Sequence, residues 1–363
     1  MVTYTCKKCR QIFKRKAEYV QHNQGQSNSP CVIFILEHDD AVTKIKDANI
    51  NHDEIVIPKP ILKWVGGKTQ ILDKLIPEFP TQMVNYHEIF VGAGSVLFAV
   101  LAYRNAGILT ISNNVYAYDA NEPLIYVFKN IQSNHDELYD EIQLLISNYG
   151  VCTEFNIDPT MNINRNNQTE VESMLSKENY YYWARMKYNN LSPIDKQTVQ
   201  GSALFIFLNK TCFRGLFRVG PNGFNVPYGN YKSPEIINKE HLDQIHDLIQ
   251  GVIFMVADFT VSMNLIGAGD YAYLDPPYVQ ESSSSFVSYT ENGFEQQQHN
   301  ELFDLCNKLT SEHKSIMISN ADVDIIREQL SDEKYTITSI ECKRKINSKK
   351  PESKAKEVII TNY

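Results

Sequence analysis

Short apolar runs recur along this chain, each closed by Gly, Pro, Asn or Asp. Ile89-Phe90-Val91 leads into Gly92, and Val115-Tyr116-Ala117-Tyr118 ends at Asp119. Val252-Ile253-Phe254-Met255-Val256 and Tyr271-Ala272-Tyr273-Leu274 follow, the second ending at a Pro-rich turn. Ser315-Ile316-Met317-Ile318-Ser319 and Val358-Ile359-Ile360-Thr361-Asn362 complete the set. Runs of this length without alternation predict strands buried on both faces. The chain between residues 131 and 250 reads as largely helical, with one hairpin at Pro221-Asn222-Gly223, a strong turn signal. The predicted fold is a doubly wound, Rossmann-like α/β sheet whose last strand is antiparallel, with a mostly helical insertion.

The pattern divides the chain. Residues 1–32 form a small cysteine-bearing module and 33–58 a polar linker. Residues 59–130 and 251–363 build the sheet, and 131–250 form the insertion. An Asn-rich stretch at 156–168 and a polar segment at 280–294, soft at Ser282–Ser285 and carrying Phe286 and Tyr289, read as loops, the second able to close over a bound ligand. At 363 residues and 43% hydrophobic content the chain has room for one large core. It has no run of 18 apolar residues and no signal peptide, so a soluble, intracellular, cytoplasmic protein without a membrane partner is expected. A net charge of −8 argues mildly against nucleic acid, but the basic stretches 7–16, 210–218 and 343–356 are local. Four of the seven cysteines, Cys152, Cys212, Cys306 and Cys342, are scattered and suggest no disulfide framework.

The most informative residues are Asp275-Pro276-Pro277-Tyr278. A carboxylate and a proline-constrained carbonyl can accept both hydrogens of an exocyclic NH2, which raises electron density on the nitrogen. The tyrosine can stack on a base turned out of the duplex. Upstream, Gly92 and Gly94 let backbone approach a ligand at a helix start. The third glycine of a dinucleotide fingerprint is replaced by Leu97, and Asp119 follows 25 residues after Gly94, placed for ribose hydroxyls. This combination suggests an adenosine cofactor without a pyrophosphate, such as S-adenosylmethionine.

Taken in order, LKWVGGK at 62–68, FVGAGSV at 90–96, YDANEPL at 118–124 and LFIFLNKTCFRGLFRVGPNGFNVPYGNYKSP at 204–234 resemble the Dam-type, alpha-group DNA adenine-N6 methyltransferases. AYLDPPY at 272–278, FVSYTENGFEQQQH at 286–299 and ISN at 318–320 continue the resemblance, which covers roughly residues 58 to 363. It implies S-adenosylmethionine as cofactor, held by Trp64, Lys68, Phe90, Gly92, Gly94, Asp119 and Asp258, with Asp275 at its edge. It implies catalysis by Asp275, Pro276, Pro277 and Tyr278, by direct transfer without a metal. Double-stranded DNA is the implied partner, and Lys63, Lys210, Phe213, Arg214, Leu216, Arg218 and Asn222 are the implied contacts. Arg218 matches the family's guanine-reading arginine and Leu216 its base-contacting leucine. Members that read GATC carry Asn-Gly-Leu where this chain has Arg214-Gly215-Leu216, so the recognition sequence stays open. A partner restriction nuclease also stays open, and a monomer or weak dimer is expected.

The N-terminal module carries Cys6-Lys7-Lys8-Cys9, His22 and Cys31, with Phe13 and Tyr19 where a finger keeps its apolar residues. Cys6, Cys9, His22 and Cys31 are candidate ligands for a structural zinc. The module resembles the CCHC-type fingers of proteins of large DNA viruses. Three functional readings compete: a DNA adenine-N6 methyltransferase, a methyltransferase for cytosine N4 or RNA adenine, and a catalytically inactive DNA-binding protein.

Overall fold

The computed structural model describes residues 42–47, 55–152, 165, 169–279, 294–330, 333–343 and 354–363, together with 4–5 and 12–13. Residues 1–41 and 42–363 form two compact units. In the first, Tyr4–Thr5 pairs antiparallel with Ile12–Phe13, Tyr4 standing opposite Phe13. Cys6, Cys9, His22 and Cys31 lie outside the described residues, as do nearly all of 156–168 and 280–294 and residues 344–353.

In the second unit β1 (Tyr86–Glu88) leads to α1 (Ser95–Asn105), then β2 (Val115–Asp119) and α2 (Glu122–Val151). Next come α3 (Lys177–Asn190), α4 (Val199–Thr211), a hairpin of Val219–Gly220 with Gly223–Phe224, and α5 (Lys239–Leu248). The chain then returns through β3 (Val252–Val256), β4 (Tyr271–Leu274), α6 (Gln296–Ser311), β5 (Ser315–Ala321), β6 (Thr336–Lys343) and β7 (Lys354–Thr361). Across the sheet the order is β6-β7-β5-β4-β1-β2-β3. All neighbours are parallel except β7, which runs antiparallel to both β5 and β6.

The expected sheet is therefore present, with its last strand antiparallel but lodged between β5 and β6. Strand β6 was not expected. Its two isoleucines, Ile337 and Ile340, stand three residues apart and so on opposite faces, among exposed Thr336, Thr338, Ser339 and Glu341, unlike the continuous apolar runs. Strand β1 lies three residues earlier than the apolar run suggests, in Tyr86-His87-Glu88. These residues are buried because each polar group finds a partner. His87 bonds the Tyr118 hydroxyl and Asp270, both at 3.1 Å, and the Tyr86 hydroxyl donates to Glu88 at 2.8 Å. Asn85 in turn donates to Asp270 at 2.6 Å.

Helix α2 starts with Asn121 accepting from the Leu124 N–H and with a proline in its first turn. It breaks regular geometry at Asn134 (φ −140°, ψ 33°), where the Asn134 amide donates to Asn130. Leu124, Ile125, Phe128 and Ile131 before the kink and Leu138 and Ile142 after it are all buried in the core. Part of the expected linker is also packed: Ile45 is fully buried and its N–H bonds the Phe79 carbonyl. Among the described residues no helix is long and apolar enough to cross a membrane.

Candidate active site

Chain order reverses direction across the sheet between β1 and β4. The crevice outside the carboxyl ends of strands at such a switch point is where open α/β sheets bind ligands. Two loops meet there, Ile89–Gly94 after β1 and Asp275–Val279 after β4.

The first loop turns on Gly92 (φ 50°) and Gly94 (φ 81°), in the left-handed region that disfavours side chains. A Cβ at Gly92 would come within 3.1 Å of the Trp64 indole, and one at Gly94 within 3.1 Å of the Phe98 ring. Asp119 at the end of β2 accepts from the Gly92 N–H at 3.1 Å and from the Asn121 N–H at 2.8 Å. Burial pushes its carboxyl up to about 6, against the pull of those two bonds. Phe90 stacks on Phe259 with centroids 6.0 Å apart, and Phe294 approaches edge-on at 6.3 Å. Asp258 is exposed and caps the short helix Phe259–Met263, accepting from the Val261 N–H and the Thr260 hydroxyl.

The second loop is held from three sides. Lys68 is buried; its Nζ donates to Asp275 Oδ2 at 2.6 Å and to the Gly66 carbonyl at 2.6 Å, and lies 4.9 Å from the centre of the Tyr278 ring. The Tyr278 hydroxyl donates to Glu357 Oε2 at 2.8 Å, and the Val279 N–H donates to Asn320 Oδ1 at 3.2 Å. Burial raises the Asp275 carboxyl to about 6; the Lys68 ammonium opposes this, and Glu357 adds to it. Pro276 is buried and Pro277 half-buried. Beneath the loop Glu88 is fully buried. Desolvation pushes its carboxyl up to about 8, offset by bonds from the Tyr86 hydroxyl and the Leu97 N–H, with Asp275 raising it further.

The hairpin region joins this site through Trp64, whose ring stacks on Phe217 at 5.7 Å and tilts against Phe205. Asn209, at the end of α4, grips the other strand of chain: it accepts from the Lys63 N–H at 2.9 Å and donates to the Lys63 carbonyl at 2.8 Å. Lys63 Nζ lies 4.2 Å above the Tyr231 ring. Phe213, Arg214, Arg218 and Asn222 are exposed. Arg214 holds a left-handed conformation (φ 57°), its N–H bonded to the Tyr231 hydroxyl and its guanidinium over the Phe213 ring. Arg218 Nε donates to Asn225 Oδ1 at 2.6 Å. Leu216 is half-buried against the core, and Lys210 is also half-buried, its ammonium disfavoured first by desolvation and then by Lys63.

The structure thus gathers Trp64, Lys68, Gly92, Gly94, Asp119 and the Asp275–Tyr278 loop around one crevice. Lys63, Lys210, Phe213, Arg214, Leu216, Arg218 and Asn222 belong to the adjoining hairpin region. The supporting groups Glu88, Asn209, Asn225, Asn320 and Glu357 were not picked out from sequence. Lone polar residues in or beside apolar runs were the only signal available for Glu88 and Glu357, whereas Asn320 closes the ISN segment of the family resemblance without a role having been given to it.

A mostly parallel sheet with a glycine loop and an Asp-Pro-Pro-Tyr loop at its switch point defines a methyltransferase class. Residues 64–346 match the D12 class N6 adenine-specific DNA methyltransferases, and the chain belongs to that family. It is 33% identical over 315 residues to the type II methyltransferase M.MjaIII of Methanocaldococcus jannaschii, covering 84% of this chain and 99% of that protein. It is 32% identical over 312 residues to the type II methyltransferase M1.LlaDCHI of Lactococcus lactis, covering 84% and 95%. The DNA adenine methylase of Haemophilus influenzae is 28% identical over 305 residues, covering 82% and 91%. Of the three readings left open by the sequence, membership of this family selects the adenine-specific DNA enzyme.

Proposed function

We propose that this chain methylates N6 of an adenine turned out of a short duplex DNA motif, with S-adenosylmethionine as donor. The observation that carries the reading is the meeting of the glycine loop and the Asp275–Tyr278 loop at the switch point, bridged by Lys68.

The residues present fit the cofactor. Gly92 and Gly94 turn the loop in the left-handed region with the Trp64 indole packed on Gly92, and Asp119 is a half-buried carboxylate with lone pairs left over for ribose hydroxyls. Trp64, Lys68, Phe90 and Asp258 complete that pocket in this reading. When bound, S-adenosylmethionine supplies a methyl group on a sulfonium cation. Asp275 and the Pro276 carbonyl accept the two hydrogens of the adenine amine and aim its lone pair, and Tyr278 stacks on the base. The gain comes from positioning and from excluding water, with no covalent enzyme intermediate. In its ionised form Asp275 is the competent acceptor, and the Lys68 ammonium favours that form.

Residues 131–250 serve as the target-recognition region. Arg218 reads a guanine edge, Lys63, Lys210 and Arg214 take phosphates, and Phe213 and Leu216 meet bases with Asn222 at the turn. Residues 1–32 are read as a zinc finger on the spacing of Cys6, Cys9, His22 and Cys31, with the paired strands Tyr4–Thr5 and Ile12–Phe13 flanking the C-x-x-C. Zinc there would be structural and plays no part in transfer.

The test is nucleoside analysis of unmodified DNA after incubation with the purified protein and methyl-labelled S-adenosylmethionine. Label in N6-methyladenine supports the reading. Label in N4-methylcytosine, or none at all, overturns it.

A further inference from the structure

Strand β7 is the one strand of the sheet that enters, rather than leaves, at the end where the loops gather. Its neighbours β5 and β4 run toward the site, and β7 runs away from it. Its early residues therefore stand beside the Asp275–Tyr278 loop. Glu357 lies opposite Ala321 at the end of β5 and opposite Ile340 of β6, and its carboxylate accepts from the Tyr278 hydroxyl at 2.8 Å. One strand over, the fully buried Asn320 holds the Val279 N–H with its Oδ1, which also accepts from the Ala321 N–H at 2.8 Å.

We propose that Glu357 is a positioning residue for the transfer, acting through Tyr278 and assisted by Asn320, and that β7 thereby sets the geometry and the charge of the base-stacking ring. The inference deepens the role given to Tyr278 above and rests on it. A phenol ring can rotate about its Cα–Cβ and Cβ–Cγ bonds, and an adenine leaving the duplex must find it in one orientation. Two anchors remove that freedom: the hydroxyl is fixed by Glu357 and the backbone beyond the ring by Asn320. Lys68 adds a third contact at the ring face. The carboxylate does a second thing. Accepting the phenol hydrogen pushes electron density into the ring, and positive charge develops on the adenine nitrogen as it takes the methyl group. An electron-rich ring beside that nitrogen favours the charged state over the neutral one, so the contact strengthens during the step. No proton need leave Tyr278 for this, since Glu357 only accepts a hydrogen bond.

The experiment compares wild type with Glu357→Ala, Glu357→Gln, Tyr278→Phe and the double variant Glu357→Ala/Tyr278→Phe, all as the full chain. The readouts are kcat, KM for DNA, S-adenosylmethionine affinity, and the fluorescence of 2-aminopurine placed at the target adenine. Loss of a hydrogen bond to a charged group corresponds to a fall of about ten- to a hundredfold in kcat. That fall is expected for Glu357→Ala and for Tyr278→Phe, with S-adenosylmethionine affinity within about threefold of wild type. The double variant should be no worse than the poorer single one, because both remove the same bond. Glu357→Gln, which keeps an acceptor of the same shape, should recover much of the loss. The 2-aminopurine signal should change for Glu357→Ala in the same direction as for Tyr278→Phe. A Glu357→Ala enzyme with wild-type kcat overturns the proposal. So does a double variant whose losses multiply, or a loss in Glu357→Ala that is matched by lost cofactor affinity and not restored by Gln, which is the mark of a damaged fold. Methyl transfer by wild type in the same assay tests the functional reading separately, so the two cannot fail together unnoticed.

Discussion

Lys68 and Asp275 lie 207 positions apart in sequence, and their side chains meet at 2.6 Å, both largely out of solvent. The contact joins the segment before the first sheet strand to the loop after the fourth. A buried ion pair of this kind is weak support for stability, but removing one partner leaves an uncompensated charge. The pair therefore makes chemical sense chiefly as a way of keeping Asp275 ionised in a dry place.

This relation gives the first prediction. Burial already lifts the Asp275 carboxyl to about 6 with Lys68 beside it. Taking away the cation in Lys68→Ala raises it further, by about 1–3 pH units. A protonated Asp275 is a weaker acceptor for its amine hydrogen, so activity near pH 7 falls while activity near pH 9 is better retained. The pH profile of kcat/KM checks this: the acidic limb should move to higher pH in the variant. An unmoved limb with uniformly lower rates would mean that Lys68 serves only to bind the cofactor.

Glu88 predicts a pH dependence of stability. Its folded carboxyl stands at about 8, raised chiefly by desolvation, above the ordinary glutamate value of the unfolded chain. The folded state thus keeps a proton that the unfolded state has released, so this group's contribution falls as pH rises from about 4.5 to 8 and is flat above that. Glu88→Gln removes the titration. Relative to wild type the variant should gain about 2 kcal/mol between pH 6 and 9. Denaturant unfolding at several pH values measures it, and a difference that does not vary with pH would refute the assignment.

Arg218 is presented to solvent with its Nε held at 2.6 Å by Asn225. Arg218→Ala should cost about 1–3 kcal/mol and relax sequence choice at one base pair. Asn225→Ala should show a weaker form of the same relaxation, since it frees the guanidinium to other rotamers. Competition binding with single-base variants of the preferred site distinguishes this from a phosphate contact, which would weaken all sequences alike.

Gly215 has φ +63°, and a Cβ there would run into the Lys63 side chain. Gly215→Ala should displace the hairpin, lowering DNA affinity by tenfold or more, in keeping with about 1–3 kcal/mol of backbone strain. S-adenosylmethionine affinity should stay near wild type, as the glycine loop is untouched. Equal loss of both, measured by titration calorimetry, would place the two regions in one cooperative unit.

Much of this was legible in the chain. Strands β2 and β4 were readable because parallel strands covered on both faces need unbroken apolar runs, and Val115–Tyr118 and Tyr271–Leu274 are such runs; Val252–Val256 is a run of the same kind on the edge strand β3, where Ile253 and Val256 are exposed. The loop glycines and Asp275–Tyr278 were readable because their chemistry is local. Strand β6 was not, since its two isoleucines, Ile337 and Ile340, are three residues apart among exposed Thr336, Thr338 and Ser339 and show no period of two. Nor was β1 placed correctly: His87 and Glu88 look like surface residues until Asp270, Tyr118 and Tyr86 are seen beside them. Glu357 failed for the same reason. Its partner Tyr278 is 79 residues away in the loop after β4, and no spacing rule connects a terminal antiparallel strand to a catalytic loop.

The most direct test of the account is methylation-sensitive sequencing of unmodified duplex DNA treated with S-adenosylmethionine and either wild type or Asp275→Ala. The account predicts N6-methyladenine at one short motif with wild type and no modified base with the variant, while the variant still binds that DNA. Modified adenine produced by Asp275→Ala, or a modified base other than N6-methyladenine produced by wild type, would contradict it.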